Sequence, residues 1–495
     1  MLRSTEKIPF SARHQPLPFQ AEAVLATRDL PYAALFHEQG LGKTKMALDL
    51  AIYWLASGAV DSVMVVTKKA LIPNWERETK FHTNMHPIVL GQDRGSNFYA
   101  FNRPGRLYLS HYEVMHSERG RLLLFAKARR LGVILDESQR IKNPNSRAAV
   151  ALHSLGPFLA RRVIMTGTPV ANRPYDIWSQ IYFLDSGESL GSSFSMFKAE
   201  TDFTKALGKD PDATAAFEGR LGEIYESIRH FTIRETKATA EISLPGKVVR
   251  NTPAELEPNQ AILYEKYRGE LAAEVLKDGL TAKDDAEEIL KRLLRLVQVA
   301  SNPKLVDQGY EGTPGKFSVL DSIVSKMDPS GPKTIIWTGF TENVNTIAKR
   351  YPDLRPARVH GRLSIADRTM DLDRFMDDPS CRILVATPGS AKEGLTLTVA
   401  NHAVFFDRSF SLDDYLQAQD RIHRISQINE CVVENIVAVG TIDEWVGELL
   451  SAKEMAAALV QGDITTAEYR DQATYAFNQV LVEVLNQPFR GTRHD

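Results

Sequence analysis

Cysteine is almost absent: Cys381 and Cys431 are the only two in 495 residues. That is too few for a disulfide framework or a thiolate zinc site, and it fits a reducing compartment. Long apolar runs are absent too. No stretch approaches the roughly 20 residues that span a bilayer, and the start MLRSTEKIPFSARHQPLPFQ lacks the apolar core of a signal peptide. Neither sign of charge is in excess, with 60 Lys+Arg against 62 Asp+Glu. A nucleic-acid partner would therefore be held by local basic patches, and net charge neither demands nor excludes one. Repeats and low-complexity blocks are not found. What is present, 43% hydrophobic and 25% charged residues, is the composition of a folded protein and excludes disorder and fibre. At roughly 150 residues per domain the length predicts about three folding units. The expectation is a soluble, intracellular, multi-lobed protein with no membrane partner, and a monomer is the default.

From Tyr32 to about Thr168 short apolar runs alternate with helix-period segments: YAALF, SVMVVT, RLYLS, GVILD and RVIMTGT. A second series begins at Thr334 with TIIWT, ARVHG, CRILVAT, HAVFFD and VVENIVAV. Such alternation is the pattern of parallel sheets covered by helices. Between the series, from about 175 to 320, strand-like runs are scarce and amphipathic stretches such as NQAILYEKYRGELAAEVL and AEEILKRLLRLVQVA appear. The predicted fold class is α/β, with two parallel-sheet lobes, a helical insertion between them and a helical C-terminal segment. The boundaries read as 1–240 for the first lobe including the start of the insertion, 241–320 for the insertion and linker, 321–450 for the second lobe and 451–495 for the extension.

The run YAALF leads into HEQGLGKT and then KMALDLAIYWLAS, a strand, glycine loop and helix. Backbone N–H groups at such a helix start cradle phosphates, with Lys43 reaching the β/γ-phosphates and Thr44 ligating magnesium; Gly40 and Gly42 allow close approach. The common eight-residue pattern has glycine where His37 stands, and the alternative reading is a glycine turn capping a helix. LGVILDESQ ends a predicted strand at Asp136 and Glu137, at the sheet edge where α/β folds place ligands. Asp136 suits a magnesium-holding carboxylate and Glu137 the activation of the attacking water; two acids capping the next element are the alternative. In SFSLDDYLQAQDRIHRISQ, Ser411 and Asp414 form a capping box that starts a helix. Gln417, Arg421 and Arg424 follow at i, i+4 and i+7, which predicts all three on one helical face aimed at a phosphate, against ordinary surface ion pairing.

The order of these motifs resembles the Swi/Snf family of DNA-translocating ATPases, the chromatin-remodeller branch of helicase superfamily two, over about residues 15 to 450. PFQAEAV is similar to the family's adenine-reading motif, with Gln20 as the matching glutamine. HEQGLGKT, VVTKKALIPNWERE, LSHYEV, LDESQRIKN and MTGTPVAN resemble the successive motifs of a first RecA-like lobe. TIIWTGF, VHGRLS, ATPGSAKEGLTLT and QAQDRIHRISQ resemble those of a second. LLRLVQVASNPKLV is similar to the helical stretch ahead of the second lobe, and IRETK to the basic element after the first. The resemblance implies two RecA-like lobes, ATP and Mg2+, Arg421 and Arg424 as arginine fingers, and hydrolysis driving movement along double-stranded DNA without strand separation. Departures are Gln139 where His is commoner, and Ala391, Lys392 and Thr396 in the second-lobe loop, which place GLTLT nearer the annealing-helicase branch. No bromodomain, chromodomain, zinc module or basic tail is read, so the expectation is a bare motor of a bacterial cell or of a virus-infected host.

Strand-end loops offer groups suited to phosphate contact without sequence preference: Thr67, Lys68, Lys69, Ser110, His111 and Tyr112 in the first lobe, and Thr338, Gly339, His360, Arg362 and Thr387 in the second. Trp75 and Tyr112 are given no role, and the cluster Arg119, Arg121, Lys127, Arg129 and Arg130 reads as solvated surface. The function expected is a translocase acting on duplex or branched DNA, remodelling protein-DNA complexes or reannealing strands and moving forks. A strand-separating helicase and an ATP-gated scaffold are the alternatives.

Overall fold

A computed structural model describes residues 10–91, 93–170, 172–202, 211–240, 244–277, 286–328, 330–390, 397–424 and 426–472. The chain divides into two compact units, Met1–Ile242 with Ala456–Asp471, and Ser243–Met455 with the remainder. Among the described residues no helix is long and apolar enough to cross a membrane.

The first unit holds a seven-stranded sheet made of β1 (Tyr32–Leu35), β2 (Ser62–Thr67), β3 (Ile88–Val89), β4 (Leu107–His111), β5 (Leu131–Asp136), β6 (Arg161–Met165) and β7 (Thr232–Ile233). Their order is β3-β4-β2-β5-β6-β1-β7 and every pairing is parallel. The central strands are buried along nearly their whole length, as apolar strands covered on both faces must be. Helix Lys43–Ala56 lays Met46, Leu50, Ala51 and Trp54 into the core cluster formed with Val63, Val65 and Ile134. Those four recur at helical spacing, so one apolar stripe fixes how the helix packs. Register then sets the carboxyl edge: Leu35 and Asp136 both pair with Met165, and Thr67 pairs with His111.

The second unit holds a six-stranded parallel sheet in the order β10-β11-β9-β12-β13-β8. Its strands are β8 (Lys247–Ala254), β9 (Lys333–Trp337), β10 (Ala357–Val359), β11 (Ile383–Ala386), β12 (Ala400–Phe405) and β13 (Cys431–Ala438). Both units are therefore parallel α/β lobes, as the alternating runs predict. The stretch read as a helical insertion does contain long helices, Pro258–Lys277 and Ala286–Ser301. It also contains β8, which joins the second sheet along all eight residues of β13. Its exposed, mixed sequence KVVRNTPA hides it, since an edge strand carries no continuous apolar run and tolerates Pro253. Helices Ile442–Gln461 and Thr466–Gln472 account for the described part of the C-terminal segment; the polar tail FRGTRHD lies outside the described residues.

Candidate functional site

At the end of β1 the Phe36 amide bonds to the carbonyl of Ile233 and the chain turns into the glycine loop. Gly40 and Gly42 take φ of 87° and 76°, the left-handed region where an L side chain is strained. Gly42 is the N-cap of helix Lys43–Ala56, so the amides of the first turn and the positive end of the helix dipole open onto this loop. His37 is not among the positive-φ residues, so the backbone there has no need of glycine. The Lys43 ammonium donates to the carbonyls of His37 (2.8 Å) and Glu38 (3.0 Å), folding back into its own loop. The His37 ring is fully buried and neither nitrogen has a hydrogen-bond partner. Burial, with the Lys43 charge beside it, holds its pKa down at about 3, so it is neutral.

Gln20 is buried and committed at both ends. Its Nε2 donates to the Leu41 carbonyl at 3.1 Å, and its Oε1 accepts from the Leu17 amide at 3.0 Å. The predicted adenine reader thus also braces the phosphate loop. IRETK braces the opposite side: Arg234 Nη1 donates to the Phe36 carbonyl and its guanidinium pairs with Asp463, while Lys237 pairs with Glu38 at 3.2 Å. The Gly167 backbone of MTGTP lies against Gln39, since a Cβ there would fall 2.8 Å from Gln39 Cγ.

β5 delivers Asp136 to the same edge. Oδ2 of Asp136 accepts from the Thr67 hydroxyl (2.9 Å) and the Trp75 indole N–H (2.8 Å), and its carbonyl accepts from the Tyr112 hydroxyl (2.7 Å). Desolvation and the neighbouring Glu137 charge raise its pKa, opposed by the Trp75 and Thr67 hydrogen bonds and the charge of Lys43. Glu137 has φ of 53° and ψ of 50°, an uncommon conformation for a residue with a Cβ. Its Oε2 accepts from Gln139 Nε2 at 2.5 Å and lies 3.4 Å from Lys68 Nζ. Gln139, the departure from His, is thus in contact with the carboxylate beside it. Thr44 and Asp136 offer a hydroxyl and a carboxylate, hard oxygen donors that suit magnesium.

Several expected phosphate contacts need correction. Thr67 and Thr338 are fully buried and their hydroxyls are bound to Asp136 and Asp407, so neither presents a hydroxyl outward. Ser110 and His111 are buried as well; Ser110 Oγ has no partner and His111 Nδ1 lies 2.8 Å from Glu113. Lys68 is spent on Glu137, Arg362 on Glu342 at 2.7 Å, and the Thr387 hydroxyl on Ser390 at 2.8 Å. His360 is buried with both ring nitrogens unpartnered, and burial followed by neighbouring arginine charge lowers its pKa. Within the second unit the strand ends surround a cavity of about 330 Å³ lined by Gly339, Gly361, Thr387, Ser390, Asp407 and Arg408 among others. Asp407 is its hub: one carboxylate, 2% exposed, accepts from Ser301 (2.7 Å), Thr338 (2.6 Å), the Gly339 amide (2.6 Å) and Asn343 (3.2 Å). Ala391, Lys392 and Thr396 lie outside the described residues.

The arginine pair needs a second correction. Ser411 caps its helix, accepting from the Asp414 amide, while its own amide donates to Ser409 Oγ, so the predicted box forms on the Ser411 side; the helix ends at Gln419. Gln417 is on it, buried, with Nε2 on Asp413 at 2.6 Å and Oε1 unpartnered. Arg421 and Arg424 lie beyond it in turns, so no helical face joins the three. The chain leaves the helix because the Arg421 carbonyl accepts from the Leu397 amide and Ile422 is buried in the sheet core, contacts that another helical turn would break. Arg421 is 4% exposed, and Arg424 Nε donates to the Asp420 carbonyl at 2.8 Å.

Sequence reasoning missed Trp75, Tyr112 and Asp407. A buried indole or phenol needs an acceptor, which is a signal of a kind, but which acceptor depends on the register of β2, β4 and β5.

Two parallel lobes, the first with a glycine loop, a lysine and an Asp-Glu pair on one sheet edge, define a helicase-like P-loop ATPase. Residues 29–305 match the SNF2-related domain and residues 315–426 the helicase conserved C-terminal domain. The chain belongs to the SNF2-related family. Among curated relatives it is 25% identical over 441 residues to the putative ATP-dependent helicase/translocase YwqA of Bacillus subtilis, covering 85% of this chain and 46% of that one. It is 26% identical over 477 residues to the RAD54-like DNA repair and recombination protein of Gallus gallus, covering 86% and 63%. The chain thus spans about half to two thirds of the length of these relatives. The Sulfolobus solfataricus SWI2/SNF2 ATPase core, solved in complex with dsDNA, is similar at 25% identity over 93% of this chain and 97% of that one, with a TM-score of 0.42.

Proposed function

We propose that this chain is an ATP-dependent translocase on double-stranded DNA that uses hydrolysis to remodel protein-DNA complexes or to reanneal strands and move forks and junctions. The observation that carries the reading is the gathering of Lys43, Thr44, Asp136 and Glu137 around one edge of one parallel sheet, in a chain whose family match runs across both lobes. Lys43 now rests on two carbonyls of its own loop; the β/γ-phosphates of ATP are stronger acceptors and would draw its ammonium away. The loop amides beside Gly40 and Gly42 would bind the phosphate oxygens, and Gln20 the adenine. Magnesium, which supplies positive charge against the phosphates when bound, would be held by Thr44 and Asp136. Glu137 would accept the proton of the attacking water. In the second lobe Gln417, Arg421 and Arg424 are the proposed phosphate-facing groups, the arginines with the charge to balance what builds on a transferred phosphoryl group.

On the nucleic-acid side, burial withdraws Thr67, Ser110, His111, Thr338 and His360 and leaves the backbone amides at the strand ends with the half-buried Lys68 and Thr387, which would exchange Glu137 and Ser390 for phosphate oxygens. Steady-state ATPase activity measured without nucleic acid and then with single-stranded, duplex and forked DNA and with RNA, at one fixed salt concentration, tests the reading. Strong stimulation by duplex or forked DNA is expected. Stimulation mainly by single strands or RNA would replace it with a strand-separating helicase, and no turnover under any condition with an ATP-gated scaffold.

A further inference from the structure

Three elements converge on Asp136. Thr67 ends β2, Trp75 lies on helix Ile72–His82 and Tyr112 opens the helix after β4. All three are buried, at 0%, 1% and 1% exposure. Tyr112 holds the main chain of Asp136 through its carbonyl, whereas Thr67 and Trp75 both donate to a single carboxylate oxygen, Oδ2. Two donors fill the in-plane lone-pair sites of that oxygen. Oδ1 carries neither bond. The side chain is thereby held in one rotamer with one oxygen saturated, in the way outer-sphere partners orient a metal-binding carboxylate.

We propose that Trp75 and Thr67 are positioning residues for magnesium, fixing Asp136 so that Oδ1 is the oxygen offered to the metal or to a water on it. The proposal rests on the reading that Asp136 serves the metal of bound ATP. The packing of Trp75 against the lobe core, through the cluster that includes Leu71, Ile72 and Met85, accounts for its ring but not for the direction of its N–H. A purely structural tryptophan would have its N–H answered by any nearby carbonyl; here it is answered by the acid of the Asp-Glu pair.

The test separates metal from nucleotide. Binding of a fluorescent ATP analogue to the full chain is measured in EDTA and across a Mg2+ titration, and Mn2+ bound in the ternary complex is read by electron paramagnetic resonance. The variants are Trp75→Phe, Thr67→Val, Thr67→Ser and Asp136→Asn. Trp75→Phe and Thr67→Val are each expected to raise the half-saturating Mg2+ concentration by about ten-fold, the usual scale for losing an outer-sphere partner, and to leave affinity in EDTA unchanged. Thr67→Ser keeps the hydroxyl and is expected to behave as the parent. If Asp136→Asn shifts the metal dependence while Trp75→Phe and Thr67→Val stay within two-fold of the parent, the positioning role is wrong and the role of Asp136 stands. If Asp136→Asn itself leaves metal dependence unchanged, the reading of Asp136 fails and the proposal falls with it. Should Trp75→Phe fail to fold, the Thr67 pair decides the question, because valine and serine differ there in the hydroxyl bond under test.

Discussion

Replacing Gly42 with alanine tests the phosphate loop at its tightest point. The residue sits at φ 76°, ψ 34°, and a Cβ built on it falls 2.4 Å from Gln20 Nε2, far inside contact distance. Alanine in the left-handed region costs about 1–2 kcal/mol. The collision also pushes the Gln20 amide off the Leu41 carbonyl, a bond of 3.1 Å in a buried setting whose loss adds about 1 kcal/mol. Together Gly42→Ala is expected to destabilise the first unit by about 2–3 kcal/mol. Gln20→Ala alone should cost about 1 kcal/mol, and because it removes the group that collides, the double variant should fall short of the sum by about 1 kcal/mol. Hydrogen exchange read on peptides within residues 32–56 follows the opening of this unit without mixing in the other. Strictly additive costs, or a Gly42→Ala variant as stable as the parent, would refute the claim that Gln20 and the loop are packed as one piece. The same variant should weaken ATP binding, since the bracing and the binding use the same backbone.

Other outcomes follow from the same geometry. Glu137→Gln keeps the side chain's length and removes its ability to take a proton, so ATP binding should persist in a filter assay while turnover falls by orders of magnitude. Arg424→Ala should lose hydrolysis and keep DNA binding in a gel-shift measurement; loss of folding instead would show the residue to be structural. Asp407→Asn replaces one carboxylate oxygen by an amide donor facing groups that all donate, and should destabilise the second unit by about 2–4 kcal/mol in urea unfolding. His37 supplies a pH signature. Its folded pKa is held near 3, below the ordinary 6.5, so as pH falls through 6.5 the unfolded chain takes up a proton that the folded chain refuses. Stability should then drop, by about 2–3 kcal/mol at pH 4.5, and His37→Phe should abolish that part of the loss when the two proteins are compared at pH 7 and pH 4.5.

Much of this was legible in the sequence, for physical reasons. Fully buried parallel strands must be apolar along their length, so SVMVVT, GVILD and TIIWT announce themselves, and the glycine loop is readable because Gly40 and Gly42 really do need positive φ. Edge strands escape the same logic. Lys247–Ala254 faces solvent along most of its length, and β3 and β7 have only two residues each, too short for any period to show. Helix starts were readable and the decisive helix stop was not. Ser411 carries its own local signal, whereas the break after Gln419 is imposed by Leu397 and by the burial of Ile422, partners that are distant in sequence or in the sheet. Burial was the largest blind spot. Thr67 and Thr338 look like hydroxyls at strand ends, and only the register shows that each is turned onto a carboxylate.

The first unit is closed by residues that come late. Asp463 pairs with Arg234, Arg470 donates to the buried Glu218 at 2.6 Å, and Gly462 lies so close to Tyr225 that a Cβ would fall 2.4 Å from its ring. All three belong to Ala456–Asp471, separated from the rest of their unit by the whole span from Ser243 to Met455. A ribosome adding about 5–20 residues per second needs roughly 10–40 s to cross that gap. During that interval the phosphate loop exists without the carboxylate that steadies Arg234, and Glu218 waits without its arginine. The ATP-binding lobe is thus the first to begin folding and among the last to finish, so a nascent or truncated chain can display a glycine loop long before it owns a completed one.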